Sequence, residues 1–267
     1  MDMAFEEFLT NHVTGGKAIT AAQRHLLDAP KAKRVRPKFM LTCGRLLGVP
    51  DEELLESAVA VELMHTGSLI HDDLIDEADE RRGRPSVNRL YGNTMALLAG
   101  DGLLSRAVLS LSGVKNGAEA TREAAKTFIE LTEAVAVEAE LTLADATPEG
   151  VIRIADAKTG ALFGLCGFLA GLAAEDLEAA VRLESAGRLA GRAFQIRDDI
   201  DDLTEDVANG VPTLPQLVSG KEAERIVRNA LHDAITQLKP YADRSGYGTL
   251  IDDIYKLARI PSSHSVV

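Results

Sequence analysis

Tryptophan is missing from this chain, aromatic residues make up 4% of it, and cysteine occurs twice in 267 residues. Scarce aromatics argue against extensive β-structure, and abundant Ala and Leu favour helix. Two cysteines, Cys43 and Cys166, sit among apolar or small neighbours. They exclude a disulfide-stapled scaffold and predict reduced core residues in a reducing, cytoplasmic setting. Basic residues are outnumbered, 29 Lys and Arg against 41 Asp and Glu, for a net charge of −12. That balance excludes a nucleic-acid partner, which needs a basic face. An anionic substrate would be repelled overall and needs local cations or metal ions. No apolar run reaches about 18 residues, so no transmembrane segment is expected. The opening MDMAFEEFLT is acidic and lacks the apolar stretch of a signal peptide.

What is present reads as helix. Apolar residues make up 46% and charged residues 26%, an ordinary globular balance. A chain near this length buries roughly 75% of its unfolded surface, so a single core is feasible. Helical periodicity recurs and no strand-like alternation of useful length is found. Helices are expected over about 38–47, from Asp51 to about Ala78, from Asn93 to Ser112, over 117–145, from Pro148, and from Ala174 to Leu203. Lys158-Thr159-Gly160 interrupts the helix begun at Pro148, a loop holds Arg84-Pro85, and two more helices come after Pro215 and Pro240. No linker or low-complexity tract divides the chain, so one all-α domain over 1–267 is expected, built of many antiparallel helices.

The stripe Leu54, Ala58, Val61, His65, Ser68, Asp72, Asp76 lies on one helical face, apolar low down and acidic at its C-terminal end, with Asp73 beside it. The segment FQIRDDIDDL repeats the carboxylate spacing at Asp198, Asp199 and Asp202, with Gly187, Gly191 and Gln195 preceding them. Helix C-termini already carry partial negative charge, so stacking carboxylates there twice calls for a compensating cation. Oxygen-only ligands point to Mg²⁺ rather than zinc. Two facing clusters would hold several ions around a diphosphate. A single such motif is more often a solvated acidic face; the second copy and the nearby cations reverse that preference. Those cations, Arg81, Arg82, Lys33, Arg34, Arg36 and Lys158, each stand at a loop or helix boundary. Arginine offers a fork suited to phosphate oxygens and lysine a point charge. His65 suits a packed core position or a ligand contact about equally.

HDDLIDEADERRGRP, Lys158-Thr159-Gly160 and FQIRDDIDD together resemble the trans-isoprenyl diphosphate synthases, or polyprenyl synthetases, in order and spacing over roughly residues 30–217. The resemblance implies an all-α, isoprenoid-synthase-type bundle around a central cavity, usually homodimeric. It implies that Asp72, Asp73 and Asp76 bind Mg²⁺ and the allylic diphosphate and that Asp198 and Asp202, with Asp199, complete the metal site. Catalysis would rest on Asp72, Asp73, Asp76, Lys158 and Asp198. Arg81, Lys158, Thr159 and Gln195 would contact the allylic diphosphate. Lys33, Arg36, His65 and Arg82 would bind isopentenyl diphosphate. The reaction breaks the allylic C–O bond, the isopentenyl double bond attacks the cation, and a proton is lost to the released diphosphate.

In this family bulky residues just below the first cluster form a floor that limits product length. Gly67 and Ser68 stand there, and Ala161, Gly164, Gly167 and Ala170 also suggest room, so a geranylgeranyl or longer product is expected. The sequence departs from the family pattern in two places. Lys31-Ala32 replace glycines ahead of Lys33, and Val211 replaces a loop lysine, with Lys221 and Lys256 as candidates to supply the missing charge. A class I terpene cyclase and a partner subunit of a heteromeric synthase remain as alternatives.

Overall fold

The computed structural model describes residues 3–261, so Met1 and Asp2 of the opening segment, and 262–267 of the expected domain, lie outside the described residues. The described residues are 78% helical with almost no sheet, which bears out the all-α expectation. Its contacts group it into two compact units, one formed by the chain up to Lys38 with Glu52–Thr121, the other by Phe39–Asp51 with Arg122 onward.

The first unit holds α1 (Met3–Asn11), α2 (Lys17–Leu27), most of α4 (Asp51–Ile75), a two-stranded ribbon of β1 (Glu80–Arg81) and β2 (Arg84–Pro85), α5 (Val87–Tyr91) and α6 (Asn93–Gly113). It also contains the start of α3 (Val35–Leu47) and of α7 (Gly117–Glu140). Helix α4 is buried along most of its length, from Leu54 to Asp73. It stops three residues before the expected Ala78 because Glu77 turns left-handed (φ 51°) and the Ala78 amide bonds back to Asp73 O at 2.9 Å. That bond satisfies a carbonyl the helix end would leave open.

The expected loop at Arg84-Pro85 is a tight hairpin. Arg81 pairs with Arg84 across Arg82 and Gly83, both with positive φ (55° and 72°), the backbone of a type I′ turn. Ser86 then caps the short α5, its hydroxyl accepting from the Arg89 amide. One described helix, α6, is long and apolar enough to cross a membrane by length and composition alone, with 33% of its apolar window buried. It passes on mean hydropathy despite Asp101 and Arg106, which break the uninterrupted run sought in the sequence.

The second unit holds the rest of α3 and α7, then α8 (Pro148–Ala155), a π-helical segment Asp156–Gly160, α9 (Ala161–Ala173), α10 (Leu177–Asp201), α11 (Leu203–Asn209), α12 (Leu214–Leu217), α13 (Gly220–Leu238) and α14 (Tyr247–Leu257). Local chemistry sets the starts. Thr147 caps α8 ahead of Pro148, Asp176 caps α10, and Ser219 caps α13. Helix α7 ends at Glu140 rather than 145, where Thr142 donates to the Asp145 carboxylate in a side-chain turn that competes with helix.

Helices α9 and α10 run antiparallel at very close range. A Cβ added at Gly167 would lie 2.2 Å from Leu183 O, one at Gly187 2.3 Å from Phe163 O, and one at Gly191 2.7 Å from Gly160 Cα. The small residues Gly164 and Gly167, taken in the sequence to suggest room, are therefore filled by the facing helix. Ala161 and Ala170 are likewise fully buried.

Candidate active site

In the first unit α4 carries the first acidic cluster at its C-terminal end, with Asp72 half-buried, Asp73 buried and Asp76 exposed just past the last turn. The hairpin returns Arg81 to this cluster, and its Nε donates to Asp73 Oδ1 at 2.6 Å. Burial raises the Asp73 carboxyl to about 6 against the pull of Arg81, and Asp72 and Asp76 add to the rise. The other Asp73 oxygen, Oδ2, is buried with no hydrogen-bond partner. An orphaned acceptor of that kind fits a cation or a donor brought by a ligand.

Arg82 turns the other way. Its Nη1 donates to Leu26 O at 2.8 Å and its Nη2 lies 3.6 Å from Glu62. Glu62, 1% exposed, also receives Arg34 Nη1 at 2.6 Å, so one buried carboxylate is shared by two arginines. Arg34 is held further by Glu6 and by Leu27 O. Beside this network Arg36, also buried, donates from Nη1 to His65 Nε2 at 3.1 Å. Accepting there makes His65 a neutral imidazole, with its proton on Nδ1. Burial, and then the charges of Arg36, Arg82, Arg81 and Arg34, hold its pKa well below the ordinary value. Lys33 is exposed, and the end of the Lys31 side chain lies over Gly83 of the hairpin.

Gly67 does not face open space. A side chain there would meet Gly100 O at 3.2 Å and Leu104 Cγ at 3.3 Å, so its glycine serves the close approach of α4 to α6. Ser68 is buried and its hydroxyl donates to His65 O at 2.9 Å.

In the second unit the K-T-G motif lies within the π-helical segment, and it joins the second acidic cluster through one polar chain. The Thr159 hydroxyl donates to Gln195 Oε1 at 2.7 Å, and Gln195 Nε2 donates to Asp199 Oδ1 at 2.8 Å. Asp199 is buried, and burial pushes its carboxyl up to about 7 even though the Gln195 bond opposes this. Lys158 pairs with Glu138 of α7, while Asp156, which opens the π segment, is gripped by Arg192 through two hydrogen bonds. Asp198 is half-buried and Asp202 exposed. Arg259, just beyond α14, contacts Asp198 at 2.5 Å and also pairs with Asp201.

Each unit thus brings some of the residues expected of it together. Asp73 and Arg81 are in contact, as are Arg36 and His65, and Thr159 reaches Asp199 through Gln195. Among the described residues no three acidic, histidine or cysteine side chains converge closely enough to hold an ion alone. Carboxylates that leave most of the shell open suit a cation completed by water and phosphate oxygens. Glu62, Arg34, Glu138, Arg192 and Arg259 were not singled out from sequence as partners of these groups. Their partners lie 20 or more residues away, and no short-range spacing signals them.

The profile of the family described as polyprenyl synthetase matches residues 17–236. A short chain isoprenyl diphosphate synthase of Methanocaldococcus jannaschii is 35% identical over 225 residues, 81% of this chain and 68% of that protein. A nonaprenyl diphosphate synthase of Mycobacterium tuberculosis is 38% identical over 213 residues, 74% of this chain and 63% of that one. The chain therefore spans about two thirds of the length of these curated relatives. The crystal structure of an isoprenoid synthase family member from Thermotoga neapolitana superposes with a TM-score of 0.84 at 32% identity, covering 96% of this chain and 98% of that one.

Proposed function

The chain belongs to the polyprenyl synthetase family, and on that premise we propose that it condenses isopentenyl diphosphate with an allylic diphosphate, head to tail and trans, to give geranylgeranyl diphosphate or a longer product. The observation that carries this reading is the Thr159–Gln195–Asp199 chain, which ties the K-T-G motif to the second acidic cluster. The whole chain acts as one synthase domain in this reading, and it works in the cytoplasm, consistent with two buried cysteines outside any disulfide.

Asp72, Asp73 and Asp76, with Asp198, Asp199 and Asp202, are the carboxylates that would hold magnesium. Magnesium, when bound, neutralises charge developing on the departing diphosphate. Arg81, Lys158, Thr159 and Gln195 bind that diphosphate and orient its C–O bond. Lys158 and Arg81 are each paired with a carboxylate of the chain, which sets their reach before substrate arrives. Lys33, Arg36, His65 and Arg82 bind the diphosphate of isopentenyl diphosphate. A neutral His65 suits this role as a hydrogen-bond donor from Nδ1, while the arginines supply the charge. The carbocation left by ionisation must be kept from water, which the apolar lower stripe of α4 favours. Ser68 belongs to the product floor in this reading, while Gly67 is assigned to packing. The active form is a homodimer.

Incubation with Mg²⁺, an allylic diphosphate and labelled isopentenyl diphosphate is expected to yield elongated prenyl diphosphates. Asp72→Ala or Asp198→Ala should abolish elongation, and full activity in both would refute the metal-site assignment. Hydrocarbon formed without isopentenyl diphosphate would instead mark a cyclase.

A further inference from the structure

Helix α14 ends in a fixed geometry. The amide of Ile260 bonds to Tyr255 O and that of Arg259 to Lys256 O, both at 3.1 Å, and Arg259 takes a left-handed backbone (φ 54°). This is a Schellman ending, with Arg259 at the position glycine favours. Arg197 of α10 secures it, donating from Nε to Ala258 O at 3.1 Å while Glu224 of α13 receives its other two nitrogens at 2.7 Å. The backbone of Arg259 is thus pinned beside the end of α10, and its guanidinium spans Asp198 and Asp201, one turn apart. Asp201 is not among the expected metal ligands; Asp198 is. The arginine side chain remains 42% exposed, so it can leave.

We propose that Arg259 is a resident counter-ion of the second acidic cluster. It holds Asp198 while metal is absent, a divalent cation displaces it, and the released guanidinium then binds diphosphate. The physical ground is competition for one carboxylate. The guanidinium sits on Asp198 Oδ1, and a divalent ion bound to the same carboxylate repels it there with the larger charge. Once freed, a guanidinium tethered beside a metal–carboxylate cluster is a forked donor of the geometry phosphate oxygens accept. The sequence candidate Lys256 pairs instead with Asp253 at 3.5 Å. The proposal rests on the reading of this cluster as a metal–diphosphate site.

The test uses the full chain and has two arms of opposite sign. Mn²⁺ titrated without substrate and followed by electron paramagnetic resonance should bind Arg259→Gln about two- to fivefold more tightly than the unaltered protein, the scale of one exposed ion pair. Inorganic diphosphate titrated calorimetrically at saturating Mg²⁺ should bind the same variant roughly tenfold more weakly, the scale of a lost charge-assisted contact. Arg228→Gln, which removes an equal charge from an exposed position of α13, should leave both unchanged. Unchanged Mn²⁺ affinity in Arg259→Gln, or a gain matched by Arg228→Gln, overturns the displacement. Unchanged diphosphate affinity overturns the second role. Asp198→Asn separates the layers: if it binds Mn²⁺ like the unaltered protein, the reading of the cluster fails. If it is impaired while Arg259→Gln is silent, only the counter-ion role fails.

Discussion

Burial opposes ionisation of one carboxylate in each acidic cluster, Asp73 and Asp199. For Asp199 the folded value is about 7 against an ordinary 3.8, so the fold favours the protonated form. Its stabilising share is complete below the ordinary value and is lost as pH rises through about 7. Metal-free protein should therefore lose stability between pH 4 and 7 from this group, and Asp73 adds to the loss in the same direction. Asp199→Asn keeps an acceptor for Gln195 and removes the buried charge. Thermal melts without metal should show it more stable at pH 7.5 by on the order of 1–3 kcal/mol, with the difference vanishing toward pH 4. A variant less stable at pH 7.5 would contradict this. The carboxylates themselves were legible, because their i, i+1, i+4 spacing is a local signal. The partners of the cations were not. Glu62 sits in an apolar run, and only the folded chain brings Arg34 and Arg82 to it.

The helix start at Pro148 was legible because proline marks it, whereas the helix expected from Ala174 begins only at Leu177, behind its cap Asp176. Helix ends were less so, because Glu77, Glu175 and Arg259 close their helices in left-handed backbone without the glycine that would announce it. The meaning of glycine also depends on the facing element. Gly167 meets the α10 backbone, whereas a Cβ added at Gly248, an exposed position of α14, would meet nothing within 4 Å. Gly167→Ala should destabilise the fold by about 1–3 kcal/mol through overpacking. Gly248→Ala should stabilise it by up to ~1 kcal/mol through helix propensity. Denaturant melts of the two variants check both signs; equal effects would mean that α9 and α10 are less tightly apposed than their backbones indicate.

For the whole molecule, all-helical character followed from composition, whereas the contacts that gather the chain into two units join residues distant in sequence and could not be read from it. The proposed homodimer needs an apolar surface, and α6 presents Leu97, Leu98, Val108 and Leu109, each about half exposed or more. Light scattering should find a mass near twice the 28.6 kDa of one chain. Leu109→Asp should shift it toward one chain while leaving the helical circular dichroism unchanged. A monomer at micromolar concentration in the unaltered protein would remove the dimer from the proposal.

The π-helical segment at Asp156–Gly160 has a consequence for phase. A π turn carries one residue more than an α turn, and each added residue rotates the rest of the helix by about 100° around its axis. Val151 and Ala155 before it, and Ala161 and Gly164 after it, therefore belong to two helical repeats out of step with each other. That offset lets α9 keep its small-residue face against α10 while α8 keeps a face of its own. Thr159 falls inside the offset, and its hydroxyl reaches Gln195 from there. Deleting one residue here would bring the repeats into step and leave the helix continuous. It would also turn Thr159 relative to one of its flanks, so the motif's aim is set by a count of residues as much as by their identity.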